Sequence, residues 1–380
     1  EERMERFPVK AVVVDEAPCK EVIVSKDINI FNEIPLFRVN EHDGGFYISK
    51  GVVVSGDPED PKNQNLGMYR IQAKDKDRLG IQAAAQHDIS IHLKKAEEMN
   101  RPLPVAISVG NDPVISLVGA MPLEYHENEY EMAGALRGEP VRIIRAETAD
   151  LMVPAGAEII IEGEIIPRVR SVEGPFGEFT GFYSSTMRQT EVRIKAITRR
   201  KDPVIFENLY IGKPWNEADI FLGPITSVTV GKQLKAMAPE VVAVNANYAH
   251  GFGVIISTKS RLAGYGKIVA SKLLATPHGL LYPKLIIVVD EDIDPFDLNE
   301  VIWALVTRFR AERDLVLIPN APGSTIDPSG LSRGLVTRMI LDATKPVPPE
   351  PPLLGLSPVH PPEEGAGWIE ILEKMRKGEK

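Results

Sequence analysis

Two glutamates, Glu173 and Glu178, stand on either side of a Gly-Pro-Phe-Gly run in SVEGPFGEFTG, residues 171–181. Surface turns favour Asn, Asp and Ser, so two glutamates beside phenylalanines at a bend make a candidate for acid–base work. Arg70, in NQNLGMYR (63–70), offers a planar fork that suits carboxylates. Asn65, His87 and Glu129 form an oxygen and nitrogen set. Such a set suits a hard divalent ion such as manganese or magnesium, above all one shared with a phosphate. Each residue alone also has an ordinary use: a solvated strand arginine, a histidine ahead of a helix, a glutamate in a first turn. Chemistry therefore depends on a fold that gathers all six.

The elements that would gather them can be traced along the chain. LGMYRIQAK (66–74) alternates like a strand, and RLGIQAAAQ (78–86) looks like its hairpin partner. Asp88 is placed to cap a helix in which Ile89, Leu93 and Ala96 share a face. That puts His87 at a helix N-terminus, where backbone N–H groups favour an anion. Glu129 opens EYEMAGALRG, which Gly138 ends. PVAISVG, AEIIIEGEI, EVRIKAI and VIFENLY (204–210) read as further strands, so the first two thirds suggests an antiparallel barrel or sandwich. After about residue 215, strands alternate with helices as in a small α/β unit. A helix expected at 298–309 carries Leu298, Val301, Ile302, Leu305 and Val306 as one apolar stripe. A Pro-rich stretch then leads to a last amphipathic helix, GWIEILEKMRK, expected to dock on another subunit.

Composition removes several classes of function. The net charge of −9 is spread over the chain and argues against nucleic acid as a partner. A single cysteine, Cys19, rules out a disulfide framework and fits a reducing, cytoplasmic setting. No apolar run reaches membrane-spanning length. DEDIDPFD (290–297) is acidic like a calcium loop, but Pro295 occupies the position that needs glycine, and Val301 the position that needs glutamate.

NQNLGMYR, QHDISIHLKKAEE (86–98), NDPVISLVGAMPL (111–123), EYEMAGALRG and EGPFGEFTGFYS (173–184) together resemble the UbiD-type decarboxylases. Within that family the sequence is most similar to the large subunit of the non-oxidative hydroxyarylic acid decarboxylases. The resemblance runs from about residue 30 to 345. It implies an α+β fold: a split β-barrel-like domain binding prenylated FMN (1–212), a linker helix (213–238), an α/β oligomerisation domain (239–345) and a tail (346–380). Family members carry a further N-terminal α/β segment, which this sequence is expected to lack.

The resemblance also implies roles. Asn65, His87 and Glu129 match the ligands of a manganese or magnesium ion that bridges to the flavin phosphate. Arg70, Glu173 and Glu178 match the catalytic set. Met68, Tyr69, Gln86, Met121 and Lys259 fall where the cofactor is contacted, and main-chain groups near Asn63, Val118 and Met121 where potassium would sit. The expected reaction is reversible loss of CO2 from a phenolic acid. Arg70 and Glu173 would position the carboxylate. Glu178, dried by its neighbouring phenylalanines, would be the proton donor, and Phe179 would line the substrate pocket. The implied partners are a flavin prenyltransferase that supplies the cofactor and a second copy of the chain. The alternatives are a decarboxylase of another unsaturated acid and a non-catalytic flavin-binding subunit.

Overall fold

The computed structural model describes residues 2–83, 87–201, 206–213, 215–249, 251–330, 334–353, 359 and 366–376. It is a mixed α/β structure built on three sheets. The largest has nine strands. Eight follow one another in the order Tyr47–Ile48, Ile71–Asp75, Arg78–Ile81, Met187–Arg199, Ile159–Glu173, Leu103–Val109, Val52–Gly56, Gln64–Met68. The ninth, Val22–Val24, pairs with the 187–199 strand.

Alternation along these strands sends side chains to two faces. Val52, Val54 and Ile160 enter one buried cluster with the helix Glu129–Arg137, while Val53, Ile159 and Ile161 enter another with the helix Asp88–Glu98. The second cluster also collects Ile48 and Ile71 from the opposite end of the sheet. The sheet must therefore curl. Two short crossovers, residues 49–51 and 69–70, join its ends covalently. No closed barrel forms among the described residues, since the outermost strands are not hydrogen-bonded to each other.

The continuous strand expected over 66–74 is therefore two strands. Met68, the last residue in register with Val52, donates its N–H to the Gly119 carbonyl at 2.7 Å, and the chain crosses to the other end of the sheet at Tyr69 and Arg70. Asp88 is the first residue of its helix rather than the cap, which is His87. Residues 206–210 of the expected strand VIFENLY are irregular, and 204–205 lie outside the described residues.

Beyond a π-helical turn (Ala218–Leu222) and the helix Gly223–Met237 lies a five-stranded mixed sheet. Its order is Val241–Tyr248, Gly253–Thr258, Leu285–Asp290, Leu335–Asp342, Leu315–Pro322. The three inner strands are parallel, with helices Tyr265–Leu273 and Leu298–Arg308 in their crossovers. In the latter helix the anticipated stripe divides. Val301 is buried and Leu305 partly so, whereas Leu298, Ile302 and Val306 are exposed, because the face toward the sheet is Val301, Ala304 and Arg308. The helix Ala366–Arg376 likewise shows Trp368, Ile371, Leu372 and Met375 to solvent. No helix among the described residues is long and apolar enough to cross a membrane.

Candidate active site

Glu173 is the last residue of the strand Ile159–Glu173, and Glu178 lies in the loop leading back into Met187–Arg199. Gly174 takes φ +89, a left-handed conformation that glycine adopts without strain, and the Gly174–Pro175 peptide is cis. The loop is held from both sides. Gly44 donates its N–H to the Pro175 carbonyl at 2.7 Å, and Gly177 donates to Asp43 Oδ1 at 2.8 Å. Glu178 N–H reaches the Phe182 carbonyl at 2.9 Å, and Ser184 N–H the Phe176 carbonyl at 2.8 Å. A small folded tongue results, not a loose turn.

Arg70 reaches this tongue from the crossover. Its Nε and Nη2 donate to the two oxygens of Glu173 at 3.1 and 2.7 Å, a bidentate pair. Its Nη1 donates to Glu178 and, at 3.2 Å, to Ser184 Oγ. The guanidinium stands 5.3 Å from the Phe176 ring centre. Tyr47 completes the group, donating from its hydroxyl to Glu173 Oε1 at 3.0 Å. All three charged residues are buried. Burial raises the pKa of Glu178 by more than the Arg70 charge lowers it. Burial, and then the Glu173 charge, push Tyr47 upward, so its hydroxyl remains a donor.

A cavity of about 500 Å³ opens beside these groups. Arg70, Glu178 and Phe179 line it from the first sheet's side, and Leu281, Tyr282 and Ile326 from the second's. A second cavity of about 400 Å³ is lined by Asn65, His87, Glu129 and Met121. The two share Met68, Tyr69, His87, Leu222, Leu281 and Tyr282 in their walls, so they are neighbouring compartments divided by these side chains.

Asn65 is on the edge strand, His87 caps the helix Asp88–Glu98, and Glu129 starts the helix that Asn128 caps. His87 Nδ1 and Glu129 Oε2 are buried without a hydrogen-bond partner. Burial lowers the His87 pKa to about 4 and raises that of Glu129 to about 8. Two orphaned polar atoms on residues that line one cavity are a costly arrangement that a cation would relieve. No cluster of three His, Cys, Asp or Glu side chains suited to a metal occurs among the described residues; here the third member is an amide.

The structure thus brings Arg70, Glu173 and Glu178 together, and it sets Asn65, His87 and Glu129 around one cavity with Met68, Tyr69 and Met121. Lys259 is placed elsewhere. It follows the strand Gly253–Thr258, is exposed, pairs with Glu291 at 3.7 Å and lines neither cavity. Gln86 lies outside the described residues. The carbonyls of Asn63, Val118 and Met121 each accept a backbone N–H, from Asp57, Met121 and Leu123. Sequence reasoning missed Tyr47, Ser184, Leu281 and Tyr282. A buried tyrosine needs a hydroxyl partner, but nothing local points from Tyr47 to a residue 126 positions away.

Comparison with known proteins identifies the family and the fold. Residues 10–214 match the UbiD 3-octaprenyl-4-hydroxybenzoate carboxy-lyase Rift-related domain, and residues 219–343 the C-terminal domain of the same carboxy-lyase. A phenolic acid decarboxylase of Sedimentibacter hydroxybenzoicus is 53% identical over 384 residues, covering 99% of this chain and 80% of its own. The structure of vanillic acid decarboxylase (ShVdcCD) from that organism, in closed form, superimposes with a TM-score of 0.93 at 53% identity, over 99% of this chain and 80% of that one. An evolved dimeric form of the UbiD-class enzyme HmfF from Pelotomaculum thermopropionicum, in complex with prFMN, gives 0.82 at 28% identity, over 98% and 82%.

Proposed function

The chain belongs to the UbiD family of carboxy-lyases, and we propose that it removes CO2 from a phenolic carboxylic acid with prenylated FMN as cofactor. One observation carries this reading. A buried arginine with two carboxylates stands in one compartment of a divided cavity, and a set of cation-type ligands stands in the other.

The residues fit both absent groups. Asn65, His87 and Glu129 supply an amide oxygen, an imidazole nitrogen and a carboxylate, the donors a manganese or magnesium ion accepts. Met68, Tyr69 and Met121, which line the same cavity, would hold the flavin. When bound, prenylated FMN supplies the electron sink that no side chain here offers.

The chain's own work is binding, drying and proton delivery. The Arg70 fork is available to a substrate carboxylate through Nη1 once Glu178 takes up a proton, because the neutral acid binds the guanidinium less tightly than the carboxylate. Glu173 keeps Arg70 in place with its bidentate bond and is itself fixed by Tyr47. Loss of CO2 breaks the ring–carboxyl bond and leaves its electron pair on the ring side. Protonated Glu178 then delivers its proton to that carbon and becomes a carboxylate, which solvent reprotonates. Phe176, packed between Tyr47 and Arg70, keeps water from the acids, and Phe179 lines the cavity where an aromatic ring would lie.

The test is to co-express the chain with a flavin prenyltransferase, record the cofactor spectrum and manganese content, and follow CO2 release from a panel of aromatic, acrylic and prenylated acids. Turnover of phenolic acids is expected. A flavin-loaded protein that decarboxylates none of them would overturn the substrate reading.

A further inference from the structure

Tyr69 occupies the crossover beside Arg70 and is buried, yet the acid chemistry makes no use of it. Its hydroxyl accepts a hydrogen bond from Asn65 Nδ2 at 3.3 Å. Its ring lies against the His87 imidazole, with centroids 5.0 Å apart and planes at 33°. One side chain therefore touches two of the three cation-type ligands.

We infer that Tyr69 is the positioning residue of the divalent-cation site, fixing Asn65 through its hydroxyl and His87 through its ring; this rests on the reading of Asn65, His87 and Glu129 as cation ligands. An amide gives a cation only its oxygen. With Nδ2 engaged by Tyr69, Asn65 Oδ1 is the atom left for the metal. Contact with the ring restricts rotation of the imidazole whose Nδ1 has no partner.

The neighbouring sequence is built to admit this side chain. Residues 67 and 69 lie two apart, and a Cβ on Gly67 would overlap the Tyr69 hydroxyl and ring. A tyrosine that merely filled space would be replaced by phenylalanine without consequence. Here the hydroxyl receives the Asn65 amide at the wall of the cavity, and phenylalanine would leave that amide free to turn. Partners that orient metal ligands typically contribute 10–100-fold in metal affinity.

The experiment titrates Mn2+ into metal-stripped protein, with and without FMN, and reads free and bound ion by electron paramagnetic resonance. Tyr69→Phe keeps the ring and is expected to weaken Mn2+ binding about 10–100-fold, with an altered spectrum of the bound ion. Gly67→Ala, which displaces the hydroxyl without removing it, should weaken binding in the same direction. His87→Ala should abolish binding and so identify the site. Wild-type affinity and spectrum in Tyr69→Phe would overturn the role of Tyr69 and leave the cation site standing. Failure of the unaltered protein to take up Mn2+ with or without FMN would overturn the cation site and the inference together.

Discussion

Gly44 and Pro175 are joined by a 2.7 Å hydrogen bond from the N–H of one to the carbonyl of the other, and this bond ties the loop of the two acids to the start of the sheet. Their approach leaves no room for a side chain: a Cβ on Gly44 would overlap the Gly174 carbonyl. Gly44→Ala should therefore shift the tongue and cost about 1–3 kcal/mol, as overpacking does. Because Asn65 and Glu129 line only the other compartment, decarboxylation should fall while Mn2+ uptake persists. Parallel assays of CO2 release and bound manganese check this. Simultaneous loss of both would show that the tongue does not move alone.

Glu178→Gln removes the proton donor and keeps the shape. It should retain flavin and lose decarboxylation by about 10²–10⁴-fold, the usual share of a positioned acid. Near-normal turnover would rule out Glu178 as the acid.

The pH profile tests the same residue separately. Burial raises the Glu178 pKa above its ordinary value of 4.5, and the reaction needs the protonated form. Turnover should therefore hold below the raised pKa and decline as pH climbs through it. That basic limb should be missing from the residual activity of Glu178→Gln. A limb unchanged in the variant would assign it to another group.

Arg70→Met would leave Glu173 and Glu178 buried without their counter-charge. Removing one partner of a buried pair costs about 3–5 kcal/mol, so a large fall in the urea midpoint is expected. Adding Glu173→Gln to Arg70→Met should restore part of it. A single variant as stable as the wild type would mean that the acids find other protons or partners.

His92 gives a stability prediction away from the site. It is fully buried, with Nδ1 3.0 Å from Ser55 Oγ and Nε2 unpartnered, and burial lowers its pKa from 6.5 to about 4. Above pH 6.5 both folded and unfolded chains hold it neutral, and its contribution is complete. Between 6.5 and about 4 the unfolded chain binds a proton that the folded protein refuses, so stability falls, by on the order of 2–3 kcal/mol. His92→Gln should flatten this part of the stability curve measured by urea unfolding. An identical curve would move the acid sensitivity elsewhere.

Much of the site was legible because its side chains sit in short, dense segments. Glu173 and Glu178 flank four residues, and Arg70 ends NQNLGMYR. The rest was not, for reasons of sequence distance and geometry. Tyr47 meets Glu173 and Asp43 meets Gly177 across more than a hundred residues, with no local pattern to pair them. The alternation of 66–74 reads as one strand, because a crossover of only two residues, 69–70, leaves no turn signal between the two strands. Lys259 shows the converse. The resemblance places it at the cofactor, yet the end of its strand turns it toward Glu291 and solvent.

The divided cavity takes Arg70, Glu178 and Asn65 from one sheet's side and Leu281, Tyr282 and Ile326 from the other's. Whatever fills it acts as mortar between two masonry blocks, touching both. A ligand that binds only this assembled arrangement adds its binding energy to the cohesion of the whole chain. Loading the cavity should consequently make the two halves melt as one, at a temperature that rises with ligand concentration.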